Sequence, residues 1–211
     1  MPGNFNTSAA WRVEDLVRDQ SWIFTIEDGA RKQLAKTAKK AFDSTRKFFD
    51  YSKDDFDLGP GFDTIAAAAG EAYFGRGLTL VKGLPRNGMS EEEFQLMIWA
   101  VGLHLGVARP QGRASQYISE VRAAGMIYRS AGGRGYNSNA GLDFHCDGCD
   151  LVALACYNKA KRGGQSRVSS SVSAWQTLRV ERPDLAEVAR HDFYFSRNQE
   201  EAPDEAPYYA Q

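Results

Sequence analysis

Apolar and polar residues alternate with the period of an α-helix over much of the N-terminal half of the chain. Between residues 30 and 48, apolar side chains recur three or four positions apart with Lys and Arg between them, which predicts an amphipathic helix. Thr25 is a candidate cap for this helix, and Glu27 and Asp28 suit its first turn. Residues 65–73 are rich in Ala and predict a second helix.

A third helix carries its own start and stop signals. Ser90 and Glu93 have the spacing of a capping box, and Gly106 follows the last apolar position. The apolar positions of this helix are Phe94, Met97, Ile98, Val101 and Leu105. Further along, Ser173 is a candidate cap of a short helix, and Pro183 is a candidate first residue of the next. The side chains expected to face inward from that last helix are Leu185 and Val188.

Short apolar or alternating runs predict the strands. These runs are residues 21–26, 77–82, 116–121, 126–128, 151–157, 167–171 and 192–196. The run 151–157 is continuously apolar, as in a strand that is buried on both faces. Residues 132–140 are rich in Gly, Asn and Ser and are either a lid over a site or a plain connector. Residues 1–20 form a polar arm that either packs through Trp11 or remains without fixed contacts.

Composition narrows the class of protein. The 211 residues suit one domain, which we place at residues 21–211, after the arm. Apolar residues make up 43% and charged residues 25% of the chain, which is typical of a soluble globular protein. The net charge of −1 predicts no nucleic-acid partner. The chain has no signal-peptide pattern and no apolar run of roughly 18 residues, so we expect no membrane span and a cytoplasmic protein with reduced thiols.

His145 and Asp147 are the candidate metal ligands. One residue separates them, and residues i and i+2 of a strand point to the same face. An imidazole beside a carboxylate is two thirds of the 2-His-1-carboxylate set that holds Fe(II) and leaves coordination positions open. Gly163 and Gly164 then predict a tight turn between the runs 151–157 and 167–171.

Other interpretations of the same residues remain open. Cys146 and Cys149, together with His145 and Asp147, contain the ligand types of a structural zinc site. A cysteine nucleophile paired with His145 is a second alternative, although such pairs need spatial rather than sequence adjacency. The third is that His145 and Asp147 are two polar residues at the end of a strand.

The stretch around this pair resembles the TauD/TfdA (taurine dioxygenase-like) family of Fe(II)- and 2-oxoglutarate-dependent oxygenases, in the clavaminate synthase-like superfamily. The residues that carry the resemblance are Phe144-His145-Cys146-Asp147, the run 150–154, and Gly163-Gly164-Gln165-Ser166, with weaker support from 77–85 and 182–185. The resemblance implies an α+β chain with a double-stranded β-helix (jelly-roll) core and N-terminal flanking helices. It also implies a dioxygenase that hydroxylates a small molecule, with Fe(II) held by His145 and Asp147. Ser166 falls where the family commonly places a hydroxyl near the 2-oxoglutarate cosubstrate.

The family pattern also requires a late His as third ligand and a later Arg that pairs the cosubstrate carboxylate. The chain has three His, of which His104 ends the third helix and is expected to be structural. His191 precedes a Phe-Tyr-Phe strand, and we interpret it as a structural or surface residue rather than the third ligand. We therefore expect an incomplete jelly roll that lacks the C-terminal third of the domain. The alternative function is a truncated, inactive homologue that binds a partner. Unpaired sheet edges would then favour a homo-oligomer or a partner chain.

Overall fold

The computed structural model of the chain describes residues 7–110, 117–123, 125, 127, 135, 138–197, 201 and 203–210. Its helices are α1 (Val13–Arg18), α2 (Asp28–Ala41), α3 (Pro60–Phe74), α4 (Glu91–Leu105), α5 (Ser171–Glu181) and α6 (Pro183–Val188). Its strands are β1 (Ile23–Thr25), β2 (Leu80–Lys82), β3 (Tyr194–Ser196) and β4 (Tyr208–Ala210). Short 3₁₀ helices lie at Thr7–Ala9, Phe48–Asp50 and Lys53–Asp55.

The first sheet is a parallel pair, β1 with β2, in which Phe24 lies opposite Val81. The pairing extends past both ends of β1, since Leu80 N donates to Trp22 O at 3.1 Å and Ile26 N donates to Lys82 O at 2.9 Å. Parallel neighbours need a long crossover connection, and α2 and α3 occupy it. The runs 21–26 and 77–82 are therefore confirmed as strand regions.

The core lies where α2 and α4 pack together. Leu34 of α2 and Leu96 and Met97 of α4 are fully buried, and Tyr51 and Phe56 close the cluster from the 3₁₀ segments. The capping box of α4 is present as predicted: Ser90 Oγ accepts from Glu93 N at 3.2 Å, and Glu93 Oε2 accepts from Ser90 N at 2.9 Å. These two bonds satisfy backbone donors that the first turn of a helix leaves without partners.

The N-terminal arm joins α5 to the turn before β2. Ser170 Oγ donates to Ala9 O at 2.5 Å, and Ser173 Oγ donates to Trp11 O at 2.8 Å. The Trp11 indole N–H donates to Arg76 O at 2.8 Å. We refer to these five residues as the N-terminal clasp. The prediction that the arm packs through Trp11 is confirmed.

The C-terminal part ends in an antiparallel pair, β3 with β4, in which Phe195 lies opposite Tyr209. Their rings stack with centroids 5.9 Å apart, and the Tyr194 and Tyr208 rings meet edge to face at 5.3 Å. All four rings are exposed. Aromatic cross-strand pairs, rather than core burial, hold this pair together. The predicted strand 192–196 is confirmed over Tyr194–Ser196.

Several predicted elements differ from the structure. Residues 151–157 and 167–170 are irregular rather than strands, and α5 already begins at Ser171. Residues 117–121 are also irregular, while residues 116, 126 and 128 lie outside the described part of the chain. The described residues thus form a mixed α/β structure with two short sheets, and no closed barrel is seen among them. The family-based expectation of a jelly-roll core is not visible as paired strands in this part of the chain.

The residues that begin α2 and α5, and the buried side of α6, also differ from the predictions. Glu27, not Thr25, precedes α2, and Ser170, not Ser173, caps α5 by accepting from Ser173 N at 2.9 Å. In α6 the buried residue is Ala186, whereas Leu185 and Val188, predicted to face inward, are exposed. Pro183 does occupy the first turn. Within the described residues, no helix combines the length and the apolar character needed to cross a bilayer.

Candidate functional site

The imidazole of His145 is oriented by a nearby backbone carbonyl. Its Nδ1 lies 2.7 Å from the carbonyl oxygen of Asp143. Because a carbonyl oxygen only accepts hydrogen bonds, Nδ1–H is the donor in this contact, and in a neutral imidazole this arrangement leaves the lone pair on Nε2. The ring is exposed, so Nε2 is accessible from solvent. Metal-binding histidines commonly donate their other ring N–H to a carbonyl in this way.

Asp147 lies two residues further on, exposed, and its carboxylate has no partner among the described residues. The surrounding backbone is irregular, with bends at residues 148–150. Residues 144–169 make no backbone–backbone hydrogen bond to any other described residue. The strand that was predicted to align the two side chains is therefore not formed here.

The donor types of this pair fit a first-row divalent metal. Imidazole nitrogen and carboxylate oxygen together suit Fe(II), and a third donor would complete a facial set. Within the described residues, no group of three His, Cys, Asp or Glu side chains is arranged to hold a metal ion. The alternative zinc site, built from His145, Cys146, Asp147 and Cys149, therefore has no support within the described residues either.

Ser166 follows the predicted turn. Gly163 and Gly164 both have φ of 73°, a region that Gly enters without the clash a side chain would cause. A Cβ on Gly164 would also lie 3.3 Å from Ala160 Cβ. Residues 163 and 164 are assigned neither a turn nor a bend, and the strands on either side are not formed, so the predicted tight turn is not seen here. Ser166 itself is exposed, and no described contact links it to His145 or Asp147.

Tyr157 attaches residues 144–169, here called the site segment, to the rest of the molecule. The Tyr157 hydroxyl donates to Met89 O at 3.0 Å, and its ring packs 5.3 Å from the Phe94 ring. The Arg86 guanidinium lies 4.9 Å from the Tyr157 ring centroid and donates to Asn158 Oδ1. The Tyr157 anchor fixes the segment beside the N-terminus of α4. Sequence reasoning missed it, because only the apolar run marked Tyr157 and nothing in the sequence identified Met89 as its partner.

The other two histidines lie apart from this pair in the chain. His104 Nδ1 bonds Ala100 O at 2.8 Å, and its ring packs 5.2 Å from the Phe62 ring, as expected of a structural histidine. His191 is exposed just after α6, and its backbone N–H donates to Val188 O. Of the candidate lid 132–140, only residues 135 and 138–140 are described.

A cleft of about 610 Å³ lies elsewhere, beneath the arm. Residues 11–14 form one wall, and residues 168–170 together with one face of α5 form the other. None of His145, Asp147 and Ser166 lines it. The cleft is therefore a separate feature from the candidate metal ligands.

Comparison with known proteins identifies one family and one similar curated protein. The model of a family described as "Taurine catabolism dioxygenase TauD, TfdA family" matches residues 40–211. The FR-33289 synthase of Streptomyces rubellomurinus (strain ATCC 31215) is similar, with 28% identity over 202 residues. That alignment covers 95% of this chain and 60% of the synthase, so the chain spans 60% of the length of this curated relative.

Proposed function

The chain belongs to the TauD/TfdA family of dioxygenases, and from that premise we propose that it takes part in Fe(II)- and 2-oxoglutarate-dependent oxidation of a small molecule. The observation that carries the proposal is the His145-x-Asp147 pair, inside the matched region, with Nε2 of His145 left free to bind. The family match and the retained donor pair favour this function over the alternative of an inactive homologue.

Each site residue has a defined task. His145 would bind the metal through Nε2 while its Nδ1–H stays on Asp143 O, which fixes the plane of the ring. Asp147 would add a negative oxygen ligand and lower the net charge of the metal site. When bound, Fe(II) supplies the activation of O₂ that is coupled to oxidation of 2-oxoglutarate. We assign no third ligand, since none joins the pair within the described residues.

Ser166 is proposed to donate its hydroxyl to a carboxylate oxygen of the cosubstrate. A hydroxyl donor to an ionised acceptor makes a stronger hydrogen bond than one between neutral groups. Gly163 and Gly164, both with positive φ, lie shortly before Ser166 and set the local direction of the chain that carries this hydroxyl. The jelly-roll core, implied by the family, is part of this proposal.

Anaerobic Fe(II) titration, with and without 2-oxoglutarate, tests the proposal. The wild-type protein is expected to develop the weak visible absorption band of a metal-chelated keto acid. His145→Ala and Asp147→Ala each remove one donor, and the apparent metal affinity should fall by at least about tenfold. Circular dichroism spectra establish that each variant is folded.

Asp150→Asn is the matched control, because Asp150 is an exposed carboxylate three residues from Asp147. It should titrate like the wild type. Unchanged metal binding by Asp147→Ala would remove the assignment of the pair. A folded wild-type protein that gives no band would contradict the proposed function itself.

A further inference from the structure

Two thiols flank the candidate ligand Asp147. Cys146 and Cys149 are both exposed and unpaired. We propose that they form a reversible oxidation site, in which hydrogen peroxide converts the two thiols into an intrachain disulfide that closes a small ring around Asp147 and Gly148. Neither the family match nor the similarity to the synthase assigns this site.

The local backbone is bent where the ring would close. A disulfide needs Cα atoms within about 4.4–6.8 Å of each other, whereas three residues of extended chain span roughly 10 Å. The chain bends at residues 148–150, as a shorter span requires. No described heavy atom lies within 4 Å of where a Cβ on Gly148 would be, so the bend can tighten without a collision.

Closing the ring also breaks little existing structure. Residues 146–150 make no backbone–backbone hydrogen bond within the described chain, and both cysteines are at the surface. A cysteine pair inside a sheet would have to give up ladder bonds to reach the same geometry. The energetic cost of the disulfide is therefore confined to ordering a few exposed residues.

The third thiol is the less suitable partner. Cys156 is exposed but precedes Tyr157, which is fixed to Met89 O and to the Phe94 ring. A disulfide from Cys146 or Cys149 to Cys156 closes a longer loop, which has a larger entropic cost. It would also pull against the Tyr157 anchor. Of the three possible disulfides, the one between Cys146 and Cys149 closes the shortest loop, and neither of these cysteines is next to the anchored Tyr157.

The chemistry balances with peroxide as the oxidant. One thiol sulfur attacks the O–O bond, so that an S–O bond forms, the O–O bond breaks and one water leaves, giving a sulfenic acid. The second thiol attacks that sulfur, the S–S bond forms, the S–O bond breaks and a second water leaves. The two sulfurs together lose two electrons, and both peroxide oxygens end as water. A dithiol reductant reverses the reaction by exchange.

The disulfide changes the position of Asp147. In the small ring, the Asp147 backbone takes the conformation that the S–S bridge imposes, and its carboxylate can no longer adjust freely toward the donor of His145. Since Asp147 is a metal ligand only under the proposed function, this consequence rests on that proposal. The oxidised protein is then expected to bind a divalent metal at least about tenfold more weakly than the reduced protein.

The cross-link is tested first, on metal-free protein, so that iron chemistry does not intervene. The reduced chain is treated with hydrogen peroxide, its remaining thiols are alkylated, and the thiols and linked peptides are identified by mass spectrometry. The three thiols of the chain should fall to one, with Cys146 joined to Cys149, and dithiothreitol should restore all three. Cys156→Ser should form the same link, and Cys149→Ser should not. Three retained thiols, a link through Cys156 or a link between chains would overturn the proposal.

Metal affinity is measured second, with Mn²⁺ and electron paramagnetic resonance. Weaker binding by the oxidised form supports the consequence for Asp147, and equal binding by both forms refutes it. A reduced protein that binds no Mn²⁺ counts against the proposed function, while the thiol count still decides the existence of the disulfide. The two failures are thus distinguishable.

Discussion

Arg46 and Asp55 form a charged pair that is joined by two hydrogen bonds. The guanidinium binds both carboxylate oxygens at 3.0 and 3.1 Å, and its carbon lies 3.9 Å from the Tyr51 ring centroid. Hydrogen bonds from Arg46, and next from the backbone N–H of Ser52, lower the pKa of Asp55 from 3.8 to about 2. Such a planar, two-bonded pair holds the 3₁₀ segments together more specifically than a single ion pair does.

Replacing Asp55 by Asn should therefore lower thermal stability in a pH-dependent way. Because folding depresses the pKa of Asp55 to about 2, the carboxylate stabilises the fold fully above about pH 4, and this contribution is lost as the pH falls through about 2. The difference in Tm between Asp55→Asn and the wild type should be largest near neutral pH and shrink toward pH 2. Asp54→Asn, a change at the exposed neighbouring residue, is the control and should show no such trend. A Tm difference that stays constant from pH 6 to pH 2 would contradict the assignment.

Residue-scale chemistry was only partly predictable from the sequence. The spacing of His145 and Asp147 identified the donor pair, because metal binding by such a pair depends on the two residue types and on their short separation along the chain. The carbonyl of Asp143 as partner of Nδ1 and the anchoring role of Tyr157 were not predictable. Both depend on backbone direction and on a contact across 68 residues, neither of which leaves a local pattern in the sequence.

Helix α3 contains two glycines whose surroundings differ sharply. Gly61 is buried where α3 meets α2, and a methyl group there would lie 2.7 Å from Leu34 Cδ1. Gly70 lies in the same helix with no described heavy atom within 4 Å of its Cβ position. Leu34 is fully buried and cannot move aside cheaply.

Gly61→Ala and Gly70→Ala are therefore expected to change stability in opposite directions. Gly61→Ala should destabilise the protein by about 1–3 kcal/mol through overpacking against Leu34. Gly70→Ala should stabilise it by about 0.5–1 kcal/mol, because Ala loses less conformational freedom than Gly in a helix. Urea unfolding curves measure both. Equal effects of the two substitutions would mean that α2 and α3 do not pack as described.

At the element scale, helices were predicted better than strands. The capping box at Ser90 and Glu93 and the periodic apolar stripe are local features, and α4 follows both. The run 151–157 has the composition of a buried strand, but a strand also needs neighbours, and none of the described residues pairs with it. Ser170 rather than Ser173 caps α5, and both hydroxyls also donate to carbonyls of the arm in the clasp, which are long-range contacts that leave no local pattern in the sequence.

At the scale of the whole molecule, one unusual surface of the described chain is formed by exposed apolar side chains within residues 144–154. Val152 and Leu154 are 61% and 77% exposed, and Phe144 is 68% exposed. Their backbone makes no backbone–backbone hydrogen bond within the described residues, so the segment exposes both apolar side chains and backbone donors and acceptors. Such surfaces pair with other chains.

We accordingly expect the purified chain to self-associate as its concentration rises. The double substitution Val152→Lys with Leu154→Lys should shift it toward monomer, because charged side chains oppose pairing of exposed strands. Val107→Lys, at a residue that is 96% exposed and outside this segment, is the control and should associate like the wild type. Light scattering after size exclusion measures the mass. A wild-type mass of 23.4 kDa at every concentration would count against the expectation.

The bonds of the N-terminal clasp join parts of the chain that the ribosome makes at different times. Its Trp11–Arg76 bond spans 65 residues, whereas its Ser170–Ala9 and Ser173–Trp11 bonds span 161 and 162. At about 5–20 residues per second, the ribosome needs about 8–32 seconds between making Ala9 and making Ser170. The arm can thus settle on the turn before β2 well before α5 exists. The late-made helix then attaches to a surface that earlier residues have already ordered.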